Sequence, residues 1–309
     1  MPNAPSAITR SVGSPVALRL DQPAPPVTAM VRGLSGGGQT ADVKTHIDGG
    51  DFFARKQLDP ARVEDISIQV GSTIPAGLFD WIAASWGAKP PARDGALLRC
   101  DATYTVRRET PFRGALIAET SFPALDAASH DPGRLTVRLT PVATGPDTTP
   151  GTKLQVSAGK GIAKVWLTSN FRLKIDGLDC TRVSRIEPFA VRRPIDMIQS
   201  ARGRPSLHAG AIDFPSLRIT LSSSAGETWF AWHQAFVVDG KNADSFEKSG
   251  SISLFAPNQV SELARIELSG LGIFRLSLDP PELGGPATIA RLTADVYCER
   301  MALVPGAVP

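Results

Sequence analysis

Side chains able to carry chemistry are few in this 309-residue chain, and they stand apart from one another. His46, His130, His208 and His233 are scattered, with no HExxH and no other pair at metal-ligand spacing. Cys100, Cys180 and Cys298 form no CxxC and have no histidine nearby at ligand spacing, so three free thiols are expected and no metal site. No GxSxG surrounds a serine, which leaves a nucleophile elbow without support. "AGKGIAK" has a Gly-Lys but neither the phosphate-loop spacing nor a hydroxyl residue after the lysine. "GLSGGGQT" is glycine-rich without GxGxxG and leads into no apolar helix, so it reads as a loop; "IDGLD" lacks the spaced oxygens of a calcium loop and reads as a turn. His233 beside Trp232 is the one candidate for a lone base. The pairs Trp81/Trp86 and Trp229/Trp232 could stack a sugar or a base, or could anchor a helix to a sheet. The residues thus point to no catalytic group, no metal and no cofactor.

What must hold those tryptophans is written twice. "ISIQVGSTIPAGLFDWIAASW", Ile66 to Trp86, and "LRITLSSSAGETWFAWHQAFV", Leu217 to Val237, match without a gap at Ile68/Ile219, Val70/Leu221, Ser72/Ser223, Phe79/Phe230 and Trp81/Trp232. His233 falls opposite Ile82, which favours packing over catalysis. Further on, Arg134-Leu135-Thr136 recurs as Arg291-Leu292-Thr293, each at the same spacing after a proline, Pro123 and Pro280. The shared tryptophan predicts that Phe79, Trp81, Phe230 and Trp232 are core anchors.

Periodicity sketches one copy. "FRLKIDGL", "DISIQV" and "SLRITLS" alternate apolar and polar residues as half-buried strands do. "AGLFDWIAASW" places Leu78, Trp81, Ile82 and Ser85 on one face of a helix, and "GETWFAWHQAFVV" suits a shorter helix through Phe230, Ala231, Gln234 and Ala235. Strands follow again in both copies. Because βαβα alternation is missing, the expected class is mainly β (α+β): two tandem β-sandwich or part-barrel domains, each with one flanking helix. The 28 Gly and 26 Pro agree with many turns.

Composition sets the remaining bounds. A net charge of +3 is too small to argue for nucleic acid or an acidic membrane surface. No apolar run approaches the roughly 20 residues of a membrane helix, and the N-terminus has no continuous apolar h-region; a protein made in a cytoplasm is expected. Proline-rich and glycine-rich stretches predict an extended arm over 1–26, a first domain over 27–143, a linker over 144–164, a second domain over 165–304 and a tail over 305–309. The opening strand of the first copy is placed at "VTAMVRGL" and that of the second at "NFRLKIDGL".

At "NFRLKIDGLDCTRVSRIEPF", followed by a long loop, "PSLRITL" and the Trp-bearing helix, the chain resembles the tail-tube proteins of contractile phage tails and related injection machines. "VEDISIQVGSTIPAGLFDWI" is similar to the same family's strand and helix. The likeness implies a tandem tail-tube-like fold and a structural, non-catalytic subunit of a phage tail or phage-like contractile injection particle. Two fused domains would fill two positions of a six-fold ring, giving a pseudo-six-fold trimer. It implies partners that are other copies of itself, adjacent tube rings, sheath or baseplate proteins, with DNA or protein cargo passing through the lumen without specific binding. In the family the loop after the first strand reaches the next ring. Here that places Lys44 and His46 in one loop, and Arg192, Arg193, Arg202 and Arg204 in the other, as inter-ring contacts. Two alternatives stay open: an initiator, hub or baseplate component capping the tube, and a monomeric ligand-binding β-sandwich with Trp86 or Trp229 exposed. An unidentified enzyme ranks behind both.

Overall fold

The computed structural model describes residues 14–306 except 23, 48, 50–51, 60, 72–73, 155–165, 200–204 and 280–289. It is mainly β, with two large antiparallel sheets and one short helix beside each. The alternating segments become strands because each buries every second side chain. Ile66, Ile68 and Val70 point inward from Ile66–Val70, as do Leu217, Ile219 and Leu221 from Leu217–Ser222.

In the first half the strands lie in the order Val27–Val31, Val16–Leu20, Arg93–Cys100, Val106–Phe122, Leu135–Thr140, Ile66–Val70, Gly33–Gly36. The two ends of that sheet are consecutive in the chain. Only Arg32 separates them, and its N–H donates to the Gln69 carbonyl at 2.7 Å. The sheet therefore curls until its edges meet, which hides ladder groups that would otherwise face water. In the second half the order is Val183–Ile186, Leu217–Ser222, Arg291–Pro305, Glu262–Asp279, Lys248–Phe255, Phe171–Ile175.

Read from its other end, the second order matches the first strand for strand from Val16–Leu20 to Gly33–Gly36, with Val27–Val31 left without a counterpart, and the register agrees as well. Leu135 pairs with Val70 and Leu139 with Ile66; Leu292 pairs with Leu221 and Val296 with Leu217. Leu18 faces Leu97 as Leu173 faces Ile252. The long strand of each half slips by one residue at the same place, Ile117/Glu119 and Ile273/Arg275. Each also bends at a glycine in the left-handed region, Gly114 (φ 57°) and Gly270 (φ 65°), a conformation an L side chain resists. The repeated Arg-Leu-Thr triplets open the equivalent strands.

Three expectations are corrected. The first-half counterpart of Phe171–Ile175 is Val16–Leu20, not "VTAMVRGL". It lies inside the segment read as an arm and pairs on both sides, with Ala17 and Leu18 fully buried. Val27–Val31 instead folds back on it. The linker's first part is bound to the first sheet. Ala143–Thr144 pairs with Phe112–Arg113, Thr148 exchanges both backbone bonds with Glu109 at 2.9 Å, and Leu154 N–H reaches the Tyr104 carbonyl at 2.9 Å. Strand pairing continues through Pro305, the first residue assigned to the tail.

The helices keep the expected place. α1, Ala76–Ser85, buries Leu78, Trp81, Ile82 and Ser85. α2, Glu227–His233, buries Trp229 and Trp232, and a π-helical turn over Gln234–Val238 carries Phe236 inward. Leu78, Trp81 and Ser85 thus correspond to Trp229, Trp232 and Phe236, and the buried face is not the one expected for the second copy. No helix among the described residues is long and apolar enough to cross a membrane.

Candidate assembly interface

The two sheets meet edge to edge. Glu119–Phe122, the far half of the first sheet's long strand, pairs antiparallel with Phe189–Arg192 of the second half: Glu119 opposite Arg192, Thr120 opposite Val191, Ser121 opposite Ala190, Phe122 opposite Phe189. Joined ladders satisfy backbone groups that an open edge would leave bare. Phe122 and Phe189 stack at 4.8 Å between centroids, and Trp86, at the end of α1, meets Phe122 and Phe214 edge-on at 6.1 and 6.4 Å. Such aromatic pairs add roughly 0.5–1.5 kcal/mol each beyond area burial.

Arg193 follows this strand and is only 6% exposed. Its guanidinium donates to the Gly87 carbonyl at 2.6 Å, to Ser85 at 3.3 Å and to Gly210 at 2.8 Å. Two of those carbonyls lie at the C-terminal end of α1, where the helix carries partial negative charge. Burial pulls the Arg193 pKa down. Arg193 is thus a bolt between the two halves of one chain; its burial takes it out of any contact with a neighbouring ring, which corrects the sequence expectation.

On the solvent face the seam is charged. Arg192 contacts Glu119 at 3.2 Å; Arg138 contacts Glu119 at 3.3 Å and Asp65 at 2.7 Å. Burial pushes the Glu119 carboxyl up, but hydrogen bonds from Ser121 and Arg192 and the charges of Arg192 and Arg138 hold it below its ordinary value. Beyond the seam the same face carries Arg185 with Asp126 and Glu187, and Arg218 with Asp295 at 2.7 Å, around an open basin of 860 Å³. Arg275 and Arg291 line the same basin, with Asp279 as a further acid, so four arginines meet four acids and the formal charges of the lining balance. A second cleft, of 1090 Å³, opens at the seam between Trp86 and Arg193 on one side and Lys174, Asp176 and Glu267 on the other.

The remaining site residues divide. Lys44 and His46 sit on an exposed hairpin, Val43–His46 with Arg55–Leu58; Lys44 reaches Asp59 at 2.7 Å, and His46 lies opposite Arg55. The second loop forms the matching hairpin, Ile195–Gln199 with Pro205–Ala209. Arg202 and Arg204 lie outside the described residues. Trp81 is fully buried and its indole N–H donates to the Pro91 carbonyl at 2.8 Å; Trp232 is buried too, with the Lys248 ammonium 5.6 Å above its ring. Phe79 is half-buried against the core, but Phe230 is 49% exposed and is no anchor, because it falls on the outer face of α2. Trp86 and Trp229 are buried, and Trp229 is bonded to the Asp179 carbonyl at 2.9 Å, so neither presents the stacking platform that a ligand-binding reading needs.

Sequence reasoning missed Arg193's role, the seam strand and the apolar hairpin tip, where Phe52 and Phe53 are 97% and 81% exposed beside Ile47. "DFF" in a polar loop was the available signal. Burial pushes the Cys180 and Cys298 thiols up to about 11 and raises Cys100, so none is poised as a thiolate nucleophile. Among the described residues no group of acids, cysteines and histidines could hold a metal ion.

No family model and no curated protein matches the chain. Among solved structures it is similar to a chain of the sheath–tube complex of the PVC extracellular contractile injection system in its extended state. Identity there is 17% over 48% of this chain and 99% of that one, with a TM-score of 0.36. The tube-terminating cap of the anti-feeding prophage gives 13%, 49%, 99% and 0.39. Hcp1 from Flavobacterium johnsoniae gives 14%, 44%, 95% and 0.27.

Proposed function

We propose that the chain is a structural, non-catalytic ring subunit of a phage tail or phage-like contractile injection particle, and that its two halves, about 16–154 and 165–306, are a tandem duplication of one tube-type unit. The observation that carries this is the seam. Within one chain, two sheets that share the order and register of six strands join edge to edge. A chain that already fills two adjacent positions of a ring wall completes a pseudo-six-fold ring with three copies. The sequence resemblance to tail-tube proteins points the same way. The charge-balanced face suits a lumen wall, since an excess of cations would hold a polyanionic cargo and an excess of acids would repel it.

The exposed hairpins are the ring-to-ring contacts in this reading, with Phe52 and Phe53 at one tip and Met197 and Ile198 on the other. Mass in solution and negative-stain microscopy of the same sample test the proposal. Rings of three chains with a central hole are expected, and a monomer at every concentration overturns it. Stacks of rings mark a main-tube subunit; single rings that refuse to stack mark an initiator or cap, the second reading, which the different sequences of the two hairpins favour.

A further inference from the structure

The internal seam has one half-seam left over at each end of the chain. The counterpart of Glu119–Phe122 in the second sheet is Arg275–Leu278, because both follow the same one-residue slip and the same bent glycine. Arg291–Asp295 covers one side of Arg275–Leu278; among the described residues no strand covers the other, and Phe274 and Leu278 stand 50% and 58% exposed beside it. The counterpart of Phe189–Arg192 in the first half is Gly37–Thr40. Leu34 pairs with Ile68 as Ile186 pairs with Ile219, and Thr40 bridges Arg62 as Arg192 bridges Asp213.

Backbone direction agrees as well. The Gly38 carbonyl accepts from Glu64 N–H at 2.9 Å, so Gly38 and Thr40 face inward to that hairpin base. Alternate residues of a strand aim their backbone groups at opposite edges, which turns the Gln39 N–H and C=O to the open side. At the internal seam Arg192 N–H binds the Asp213 carbonyl at 3.0 Å, which turns Val191 toward Thr120.

We infer that the open edge Arg275–Leu278 of one copy pairs antiparallel with Gly37–Thr40 of a second copy, in the register of the internal seam: Arg275 opposite Thr40, Leu276 opposite Gln39, Ser277 opposite Gly38, Leu278 opposite Gly37. The inference deepens the ring reading and rests on it for closure. The contact is head-to-tail, so it forms a ring if the rotation closes and a filament if it does not. Flanking groups fit: Val237 and Val63 occupy the places of Trp86 and Phe214, and Val237 is 42% exposed. The two seams are not equal in strength. Gly37 stands where Phe189 stacks and Ala41 stands where Arg193 bolts, so the seam between chains is the one that opens first on dilution.

Paired cysteines test the register. Glu119 and Arg192 flank the bond from Arg193 N–H to the Ala118 carbonyl, which makes Ser121/Ala190 a non-hydrogen-bonded pair with close side chains; Ser277/Gly38 inherits that spacing, within disulfide reach. A Cβ on Gly38 meets only the movable Glu64 carboxylate, at 3.0 Å. The double variant S277C/G38C, oxidised gently, is expected to give chain-to-chain disulfides that end in a closed covalent species, with the joined peptides identified by mass spectrometry. The shifted pair S277C/Q39C should cross-link about tenfold less, since adjacent strand residues point to opposite faces. S121C/A190C, closing within one chain, shows that the chemistry and the fold are intact. Assemblies of full mass without the 277–38 link, while the control closes, overturn this edge and leave the ring standing. Monomers at all concentrations without the link overturn both.

Discussion

At the residue scale, Arg193 shows how one side chain can hold two sheets. Its hydrogen bonds run to backbone carbonyls at the end of α1 and at Gly210, and truncation leaves those acceptors without a donor. Arg193→Ala is therefore expected to lower stability in urea denaturation by about 1–3 kcal/mol, with Arg193→Lys recovering only part, because one ammonium cannot reproduce the planar fork. Glu119 supplies a pH dependence. Its folded pKa is depressed, so its contribution is present above the unfolded glutamate value of roughly 4.3 and is lost as pH falls through the lower folded value. Thermal melts across acid pH should show that loss in the wild type and a flatter response in Glu119→Gln; equal slopes for the two would count against the assignment.

At the element scale, the long strands owe their bend to Gly114 and Gly270, which let each strand serve two sets of neighbours. A Cβ at Gly114 meets Val142 at 2.9 Å and one at Gly270 meets Glu299 at 2.7 Å, on top of the left-handed backbone. Gly114→Ala and Gly270→Ala are each expected to cost about 1–2 kcal/mol, read as similar drops in melting temperature. The helices need no such device. In α1 the spacing of Leu78, Trp81, Ile82 and Ser85 already specifies which face is buried.

At the scale of the whole molecule, exposed apolar surface marks where other molecules are expected. Phe52 and Phe53 touch each other, at 5.7 Å between centroids, and both are exposed. Phe52→Ser/Phe53→Ser should leave the stability of the isolated chain within about 0.5 kcal/mol while shortening or abolishing ring stacks seen by microscopy. Rings that stack as before would move the longitudinal contact elsewhere.

Much of this protein is legible in its sequence, because strand alternation, helix periodicity and the repeated Arg-Leu-Thr triplets are local signals that act within a few residues. They specified the mainly β class, and Trp81 and Trp232, which the sequence places at matching positions, both lie buried. The second helix was harder. Four aromatics crowd Trp229 to Phe236, so composition alone cannot choose the buried stripe, and Phe230 faced out. Only the tertiary structure decided the rest, because it depends on partners far along the chain. Val16–Leu20 became the opening strand once Arg93–Cys100, more than 70 residues away, offered it an edge. Arg193 changed from a loop cation to a buried bolt because the end of α1, over 100 residues earlier, lies against it. Pairing across such distances follows from which ladder groups remain open after the local elements form. No window of sequence carries that information.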